Sequence, residues 1–200
     1  MLLSDGSVRR LDLLGAECIR PQTVADALRA GHVARAPDAA HHMDRTALSY
    51  DKVDLAGTCM RMPRAVVCLL SAAHLEGLAF EQPGKLWLAL PQGVHATTVG
   101  DTPRHILRWS YRGAFDVGVI EDEVCGVKLK RTSGARTVVD LFRYAKHLRG
   151  VMSGIAAARR HVEAGGKPGD FLTVAEHLKV PVATMRDLTV AAAALQEPGR

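Results

Sequence analysis

The chain has 200 residues, of which 48% are hydrophobic, 24% charged and 4% aromatic. This composition excludes an intrinsically disordered chain, and the length suits one medium domain or two small ones with a mainly aliphatic core. The net charge of +5 is unevenly placed, because residues 127–200 hold thirteen Lys and Arg against six Asp and Glu. Any attraction to nucleic acid or to an acidic partner is therefore concentrated in that last part of the chain.

The first ten residues, MLLSDGSVRR, contain neither a long apolar run nor a cleavage-like site, so no signal peptide is expected. The longest apolar run, AVVCLLSAAHL, is too short to span a membrane and is interrupted by polar residues. The four cysteines are widely spaced without a Cys-x-x-Cys pair, which favours reduced, mostly buried thiols over a zinc site. We expect a cytoplasmic protein that holds no metal and has no membrane partner.

Residues 1–50 are predicted to form a small unit with a helix, a turn, a second helix and a short strand. The first helix, VRRLDLL, stops at Gly15, and Pro21 suits the first turn of the second helix. The second helix is predicted to end at Gly31, after which HVARAP is typical of a strand. The loop PDAAHHMDRT then leads towards the larger unit, which is predicted over residues 51–200.

The middle of the chain alternates between helical and strand-like patterns. A helix is predicted from Asp51, and Pro63 is predicted to open another helix that continues to Glu76. Strands are predicted at KLWLAL, HILRWS, DVGVI and GVKLKR, which are residues 85–90, 105–110, 116–120 and 126–131. We expect the last two strands to form a hairpin with the acidic run EDEVC at its tip. Trp87 and Trp109 are predicted to lie in the core.

The stretch SGARTVVDLFRY, which begins at Ser133, combines polar side chains with one apolar helix face. Either Ser133 or Thr132 is placed to cap a helix predicted over 134–148, and Arg136 and Asp140 are spaced to pair along it. A helix start near basic residues also suits a phosphate, so a structural and a ligand-binding interpretation both stand. The fold class predicted is α+β, with antiparallel strands followed by a helical bundle. The remaining helices are predicted at 151–164, 170–178 and 181–195.

The chain lacks the motifs of several common enzyme classes. A Walker loop fails because His161 and Pro168 occupy positions that need Gly and Ser or Thr. No lysine follows a carboxylate by two residues, as a nuclease motif requires, and no Ser or Cys lies in a nucleophile elbow. We expect a non-enzymatic protein without a cofactor. A nucleic-acid-processing enzyme with an unrecognised site is a distant alternative.

Three segments resemble the AbiEi family of antitoxins, which belong to type IV toxin–antitoxin systems of bacteria and archaea. MPRAVVCLLSAAHLEGL (62–78) is similar to a family helix of the form Pro-x-x-Val-x-Cys-Leu-Leu-Ser-Ala, and KLWLALPQG is similar to the strand that follows it. GVKLKRTSGARTVVDLFRYAKHLRG (126–150) is similar to the family segment that follows a hairpin. IRPQTVADALRAGHVAR (19–35) resembles the recognition helix and first wing strand.

The resemblance implies a winged helix-turn-helix within residues 1–50 and a C-terminal antitoxin domain over residues 51–200. It implies repression of the protein's own operon through operator DNA, and action against a cognate AbiEii-like nucleotidyltransferase toxin without the need for a stable complex. The chain begins close to the turn helix, so the first helix of the winged helix is expected to be missing or short. The wing also has AAHH where the family tends to have a Gly-aromatic turn. The alternative is an antitoxin that binds no DNA and acts only through protein–protein interaction or toxin antagonism.

Two sets of contact residues follow from this resemblance. The start of a recognition helix reaches base edges and its later residues lie nearer the backbone, which selects Arg20, Gln22, Thr23, Arg29 and Arg35. A basic patch for DNA phosphates or for the toxin is expected from Lys128, Lys130, Arg131, Arg136, Arg143, Lys146 and Arg149. If the strand at 126–131 alternates, Lys128 and Lys130 share one face. The plainer alternatives are the polar face of a surface helix and an ordinary solvated basic surface.

Overall fold

The protein is described by a computed structural model that covers residues 2–3, 33–34, 50–79, 83–97, 103–110, 112–124, 126–148 and 150–196. The chain divides into two compact units. The first comprises Met1–Ala65, His95–Pro103 and Glu121–Leu129, and the second comprises Val66–Val94, Arg104–Ile120 and Lys130–Arg200. The predicted boundary between residues 50 and 51 stays a prediction, because nearly all of the first fifty residues lie outside the described ranges.

In the first unit, helix α1 spans Tyr50–Arg61 and confirms the helix predicted from Asp51. Leu55, Cys59 and Met62 recur at helical spacing and are all buried, so a single apolar stripe explains why this segment is helical. Strand β1 (Leu2–Leu3) pairs antiparallel with strand β2 (Val33–Ala34), which is the strand predicted after Gly31. The helices predicted within residues 1–50 lie outside the described residues.

A five-stranded mixed sheet carries the rest of the fold, with the strand order β5-β4-β3-β7-β6. Its strands are β3 (Val66–Val67), β4 (Leu86–Pro91), β5 (Arg104–Trp109), β6 (Val119–Val124) and β7 (Val127–Thr132). Strand β3 runs antiparallel to β4, but β3 with β7 and β4 with β5 are parallel pairs. The prediction of an antiparallel set is therefore wrong for these two pairs, whose connecting segments are long enough for the crossover that parallel strands need.

The helix predicted from Pro63 to Glu76 is replaced by a strand, a bend and a shorter helix. Strand β3 takes Val66–Val67, and helix α2 spans only Leu69–Leu75. The two valines are β-branched and lie between β4 and β7, where their backbone groups serve two neighbouring strands. Leu69 has a φ of 48°, outside the range of a regular helix, and marks the change of direction. Long-range strand pairing has thus overridden a helical pattern.

The predicted hairpin is present, but its strands are shifted along the chain. A 3-10 helix at Arg112–Phe115 precedes β6, and the acidic residues of EDEVC lie within β6 rather than at the tip. Gly118 and Gly126 have positive φ values of 64° and 73°, which side chains other than glycine adopt at a cost. These two glycines fix where β6 begins and where the turn into β7 lies.

The four helices predicted after Ser133 are confirmed as α3 (Gly134–Arg143), α4 (Met152–Glu163), α5 (Pro168–His177) and α6 (Val182–Gln196). The first is shorter than predicted. Tyr144 leaves the helical region with φ −103° and ψ 22°, and its N–H donates to the carbonyl oxygen of Asp140 at 2.8 Å. A 3-10 helix at Ala145–Leu148 follows, so the apolar spacing continues while the α-helix does not.

Helix α3 lies in the core of the second unit, where α2, α4, α5 and α6 all pack against it. Its buried face joins strands β4 and β5 through Trp87 and Trp109, each only 3% exposed, which confirms both tryptophans as core residues. Cys59 of the first unit and Cys68 of the second are buried free thiols, as the cysteine spacing predicts. Among the described residues, no helix has the length and apolar character needed to span a bilayer.

Candidate functional site

The start of helix α3 is closed by its own side chains. Ser133 is the N-cap, and its hydroxyl accepts a hydrogen bond from the backbone N–H of Arg136 at 3.4 Å. The hydroxyls of Thr132 and Thr137 lie 2.7 Å apart and are both buried. Of the two caps predicted, Ser133 is therefore the one in place, while Thr132 ties the end of β7 to the first turn of α3.

Arg136 is wholly buried, which is unusual for a charged side chain. Its Nε donates to Asp140 Oδ2 at 2.9 Å, and one terminal nitrogen donates to the carbonyl oxygens of Ala114 at 3.0 Å and Val117 at 2.5 Å. The guanidinium carbon lies 4.5 Å from the ring centroid of Trp109, within the range of a cation–π contact. The predicted pairing with Asp140 is confirmed, but it occurs in the interior and it binds α3 to the segment before β6.

The electrostatics of this pair are set by burial. Asp140 is buried with Arg136, and loss of hydration raises the pKa of its carboxyl, while the nearby charges of Arg136 and Arg143 oppose the rise. Burial also raises the pKa of the Cys68 thiol well above its usual value, and the negative charge of Asp140 adds to that effect. The Cys68 thiol is therefore kept protonated and unreactive, and nothing in this cluster supplies a nucleophile.

Side chains from other elements already lie close to the start of α3. A Cβ added to Gly134 would lie 3.1 Å from Glu76 Oε1 and 3.0 Å from His161 Nδ1, so a carboxylate already lies over the first residue of α3. An anion gains from the helix dipole at that position, and the Glu76 carboxylate already lies there. The capping interpretation of the stretch SGARTVVDLFRY is the one that this geometry favours.

The basic residues predicted as one patch lie in different surroundings. Lys128 and Lys130 are exposed and alternate with buried Val127 and Leu129, so the predicted alternation is confirmed and both lysines share one face of β7. Lys146 is exposed on the 3-10 helix after α3. These three lysines are the described members of the set with the greatest access to solvent.

The remaining members are engaged or lie elsewhere. Arg131 forms an ion pair with Glu76, and the guanidinium of Arg143 lies 5.3 Å from the ring centroid of Tyr144. Placing Arg136 on the basic surface is wrong, because its side chain is in the interior for the reasons given above. Arg149 lies outside the described residues. The residues proposed for base and backbone contacts with DNA also lie outside them, namely Arg20, Gln22, Thr23, Arg29 and Arg35.

A further group of side chains was not predicted from sequence. Trp87, His105, His147 and Tyr144 form a series of ring contacts, with centroid distances of 4.6 Å, 5.4 Å and 6.1 Å along that order. Lys85 lies 4.7 Å from the centroid of Trp87, at one end of the series. Trp87, His105 and His147 are far apart in the chain, so only the parallel pairing of β4 with β5 could have indicated the first contact. Within the described ranges, no three His, Cys, Asp or Glu side chains group so as to hold a metal ion.

Comparison with known proteins adds no family. No protein-family model matches the chain, and no curated protein matches it. The described fold is a mixed α/β one, in which a five-stranded sheet packs with helices.

Proposed function

We propose that this chain is the antitoxin of a type IV toxin–antitoxin pair, which counters a nucleotidyltransferase toxin and represses its own operon by binding DNA. One observation carries the proposal. The two long segments that resemble AbiEi antitoxins, 62–78 and 126–150, meet as the parallel pair β3 and β7, with Val66 opposite Lys130. The ion pair between Arg131 and Glu76 joins the same two segments again.

This arrangement gives the resemblance a physical meaning. Residues of both segments build the centre of the second unit. Polar side chains among them cap helix α3 or form buried hydrogen bonds. Such residues specify a fold and leave function to the surface around it. A non-enzymatic role agrees with the protonated Cys68 and the internally bonded Asp140, neither of which is placed to react.

For DNA binding, we propose that residues 1–50 form the winged helix. Its recognition helix would carry the base and backbone contacts already given, namely Arg20, Gln22, Thr23, Arg29 and Arg35. Lys128 and Lys130 would position phosphates as two neighbouring side chains on one strand face. The alternative, an antitoxin without DNA binding, is favoured by the loss of Arg136 from the surface and by the pairing of Arg131 with Glu76.

Fluorescence anisotropy distinguishes a DNA-binding repressor from an antitoxin that does not bind DNA. The full chain is titrated with duplex DNA from upstream of its own gene and with scrambled DNA, at low and at physiological salt. Specific binding that survives salt supports the repressor. The Lys128→Ala/Lys130→Ala variant should then lower the slope of log affinity against log salt by about 2, since each phosphate contact contributes about 0.9. The matched control is Lys179→Ala/Arg186→Ala, which removes two exposed cations from the second unit.

A growth assay tests the antitoxin part. The toxin encoded beside the gene is expressed with the wild-type chain or with the Lys128→Ala/Lys130→Ala variant. Rescue of growth together with specific DNA binding supports the full proposal. Rescue without specific DNA binding moves the conclusion to an antitoxin that acts on its toxin alone. Failure to rescue contradicts both.

A further inference from the structure

The ring contacts in the second unit form a continuous ladder with a cation at each end. Its order is Lys85, Trp87, His105, His147, Tyr144 and Arg143, and we call these six side chains the ring ladder. Three separate parts of the chain contribute to it: the start of β4, the start of β5, and the residues that end α3 and form the following 3-10 helix.

Backbone pairing explains how the ladder forms. In the parallel register of β4 and β5, Trp87 lies opposite His105, so their rings are neighbours on one face of the sheet. The end of α3 at Arg143 turns the chain, and the 3-10 helix brings His147 against His105 at an interplanar angle of 61°. The ladder passes from Trp87, which is 3% exposed, to His147, which is exposed.

The charge around the ladder is positive. Lys85 and Arg143 lie over its end rings, and Lys146 is exposed beside His147 in the chain. The pKa of His105 is lowered by partial burial and by the positive charges of Lys85 and His147. The His105 imidazole therefore carries a penalty for taking up a proton here, and a bound anion would relieve it.

A role in stabilising the fold accounts for the contact between Trp87 and His105, whose rings are buried or half-buried. It does not account for an exposed imidazole that continues the ladder into solvent beside a lysine. His147 is the exposed ring of the ladder, and an exposed flat ring beside cations is a combination by which proteins bind an unpaired base and its phosphates. We propose that the ring ladder binds single-stranded nucleic acid, with a base stacked on His147 and phosphates held by Lys146 and Lys85.

The operator contacts proposed above rely on Lys128, Lys130 and residues 20–35, none of which belongs to the ring ladder. Arg143 and Lys146 are in the basic set predicted from the sequence, so the test uses single-stranded DNA of unrelated sequence rather than the operator. The probe is a fluorescein-labelled oligothymidylate of about 12 nucleotides, within the length that one compact domain covers. It is titrated with the full chain at several salt concentrations, and the same measurement is made with a duplex of equal length and unrelated sequence. We expect the single strand to bind more tightly than the duplex.

Three variants separate stacking from charge. His147→Ala should weaken binding of the single strand about 5-fold or more, which is the lower range for loss of one stacked base. His147→Phe keeps a flat ring without a charge and should bind within about 2-fold of the wild type. Lys146→Ala should lower the salt slope by about 0.7, the value for one phosphate contact on a single strand. The controls are His177→Ala and Lys179→Ala. The first removes an exposed histidine at the end of α5, and the second removes an exposed lysine two residues further on.

Loss in His147→Ala with recovery in His147→Phe supports the ladder as a base-stacking site. No binding of the single strand by the wild type, or equal binding by the ladder variants and the controls, overturns it. Equal weakening of single strand and duplex by His147→Ala also overturns it, because a duplex presents no unpaired base. Specific binding of upstream duplex DNA would still be measured separately for the repressor.

Discussion

The buried ion pair of helix α3 makes a demanding prediction about stability. The variant Arg136→Met keeps an unbranched apolar stem that ends near the position of Nε, and it removes the charge and all side-chain donors. Asp140 then keeps its place in the interior without the 2.9 Å bond from Nε. Breaking a buried pair by removing one partner costs about 3–5 kcal/mol, because the remaining charge is uncompensated.

The backbone contacts of Arg136 add to this cost. The carbonyl of buried Ala114 loses its donor, at about 1 kcal/mol or more, while that of half-buried Val117 is closer to solvent. We therefore expect a loss of about 4–6 kcal/mol, a large part of the roughly 5–15 kcal/mol by which domains are stable. The double variant Arg136→Met/Asp140→Leu removes the stranded charge as well and should be more stable than Arg136→Met.

The assay is equilibrium unfolding in urea, followed by far-UV circular dichroism on the wild type and on both variants. A loss below about 1 kcal/mol in Arg136→Met would refute the reasoning, since a surface pair contributes no more than that. A double variant no more stable than Arg136→Met would refute it as well. It would mean that the uncompensated carboxylate is not the source of the loss.

The same variants predict a pH dependence whose sign follows from the pKa of Asp140. Burial raises that pKa and Arg136 opposes the rise, so the pKa should be higher still in Arg136→Met. A group whose pKa is raised in the folded state adds stability at pH values below its unfolded pKa and loses it as pH rises. The deficit of Arg136→Met should therefore shrink as the pH is lowered from neutrality and the Asp140 carboxyl takes up its proton. A deficit that is constant or grows as the pH falls would contradict this.

Three further predictions concern single positions. Gly118→Ala should destabilise the fold more than Gly77→Ala. Both glycines have positive φ, but only at Gly118 would a Cβ lie 2.6 Å from Arg136 Cβ. Urea unfolding compares the two variants, and equal losses of stability would contradict the clash. An NMR titration should give His105 a pKa below 6.5, and a higher pKa would contradict its positive surroundings. Because the pKa is lowered on folding, the contribution of His105 to stability is present above pH 6.5 and is lost as the pH falls through the pKa of the folded state. Burial raises the pKa of Cys59 to about 12, so peptide mapping after native iodoacetamide treatment should find Cys59 unmodified until urea is added.

The local features of the fold were accessible from sequence, and α3 shows why. Its apolar spacing, the Ser133 cap and the four-residue interval between Arg136 and Asp140 are all encoded within one short stretch. What the sequence could not reveal was that this pair lies in the interior and not on the exposed face of the helix. A charged side chain is normally exposed, and only the carbonyls of Ala114 and Val117, supplied by a distant segment, make its burial possible.

Strand β3 and the ring ladder were not predicted from the sequence, and the physical reason is similar for both. Val66–Val67 is too short to show a strand period and lies in a helical pattern, so its neighbours β4 and β7 decide its conformation. The ladder depends on the register of β4 with β5 and on the turn that ends α3. The two contacts that join its parts, Trp87 with His105 and His105 with His147, connect residues that are distant in the chain, and local patterns contain no information on such pairings.

The short strand β3 also has a consequence for the order in which the protein is made. It is only two residues long, yet it lies in the middle of the sheet between β4 and β7. Strand β4 follows it closely along the chain, whereas β7 leaves the ribosome much later, after β5 and β6. A nascent chain that ends before Thr132 therefore has an open edge at β3 and lacks the α3 face that covers its core. Pairing between distant segments is slow, and an unpaired strand edge is a site where other chains can add, so β3 is the edge of the sheet most exposed to aggregation until β7 has been made.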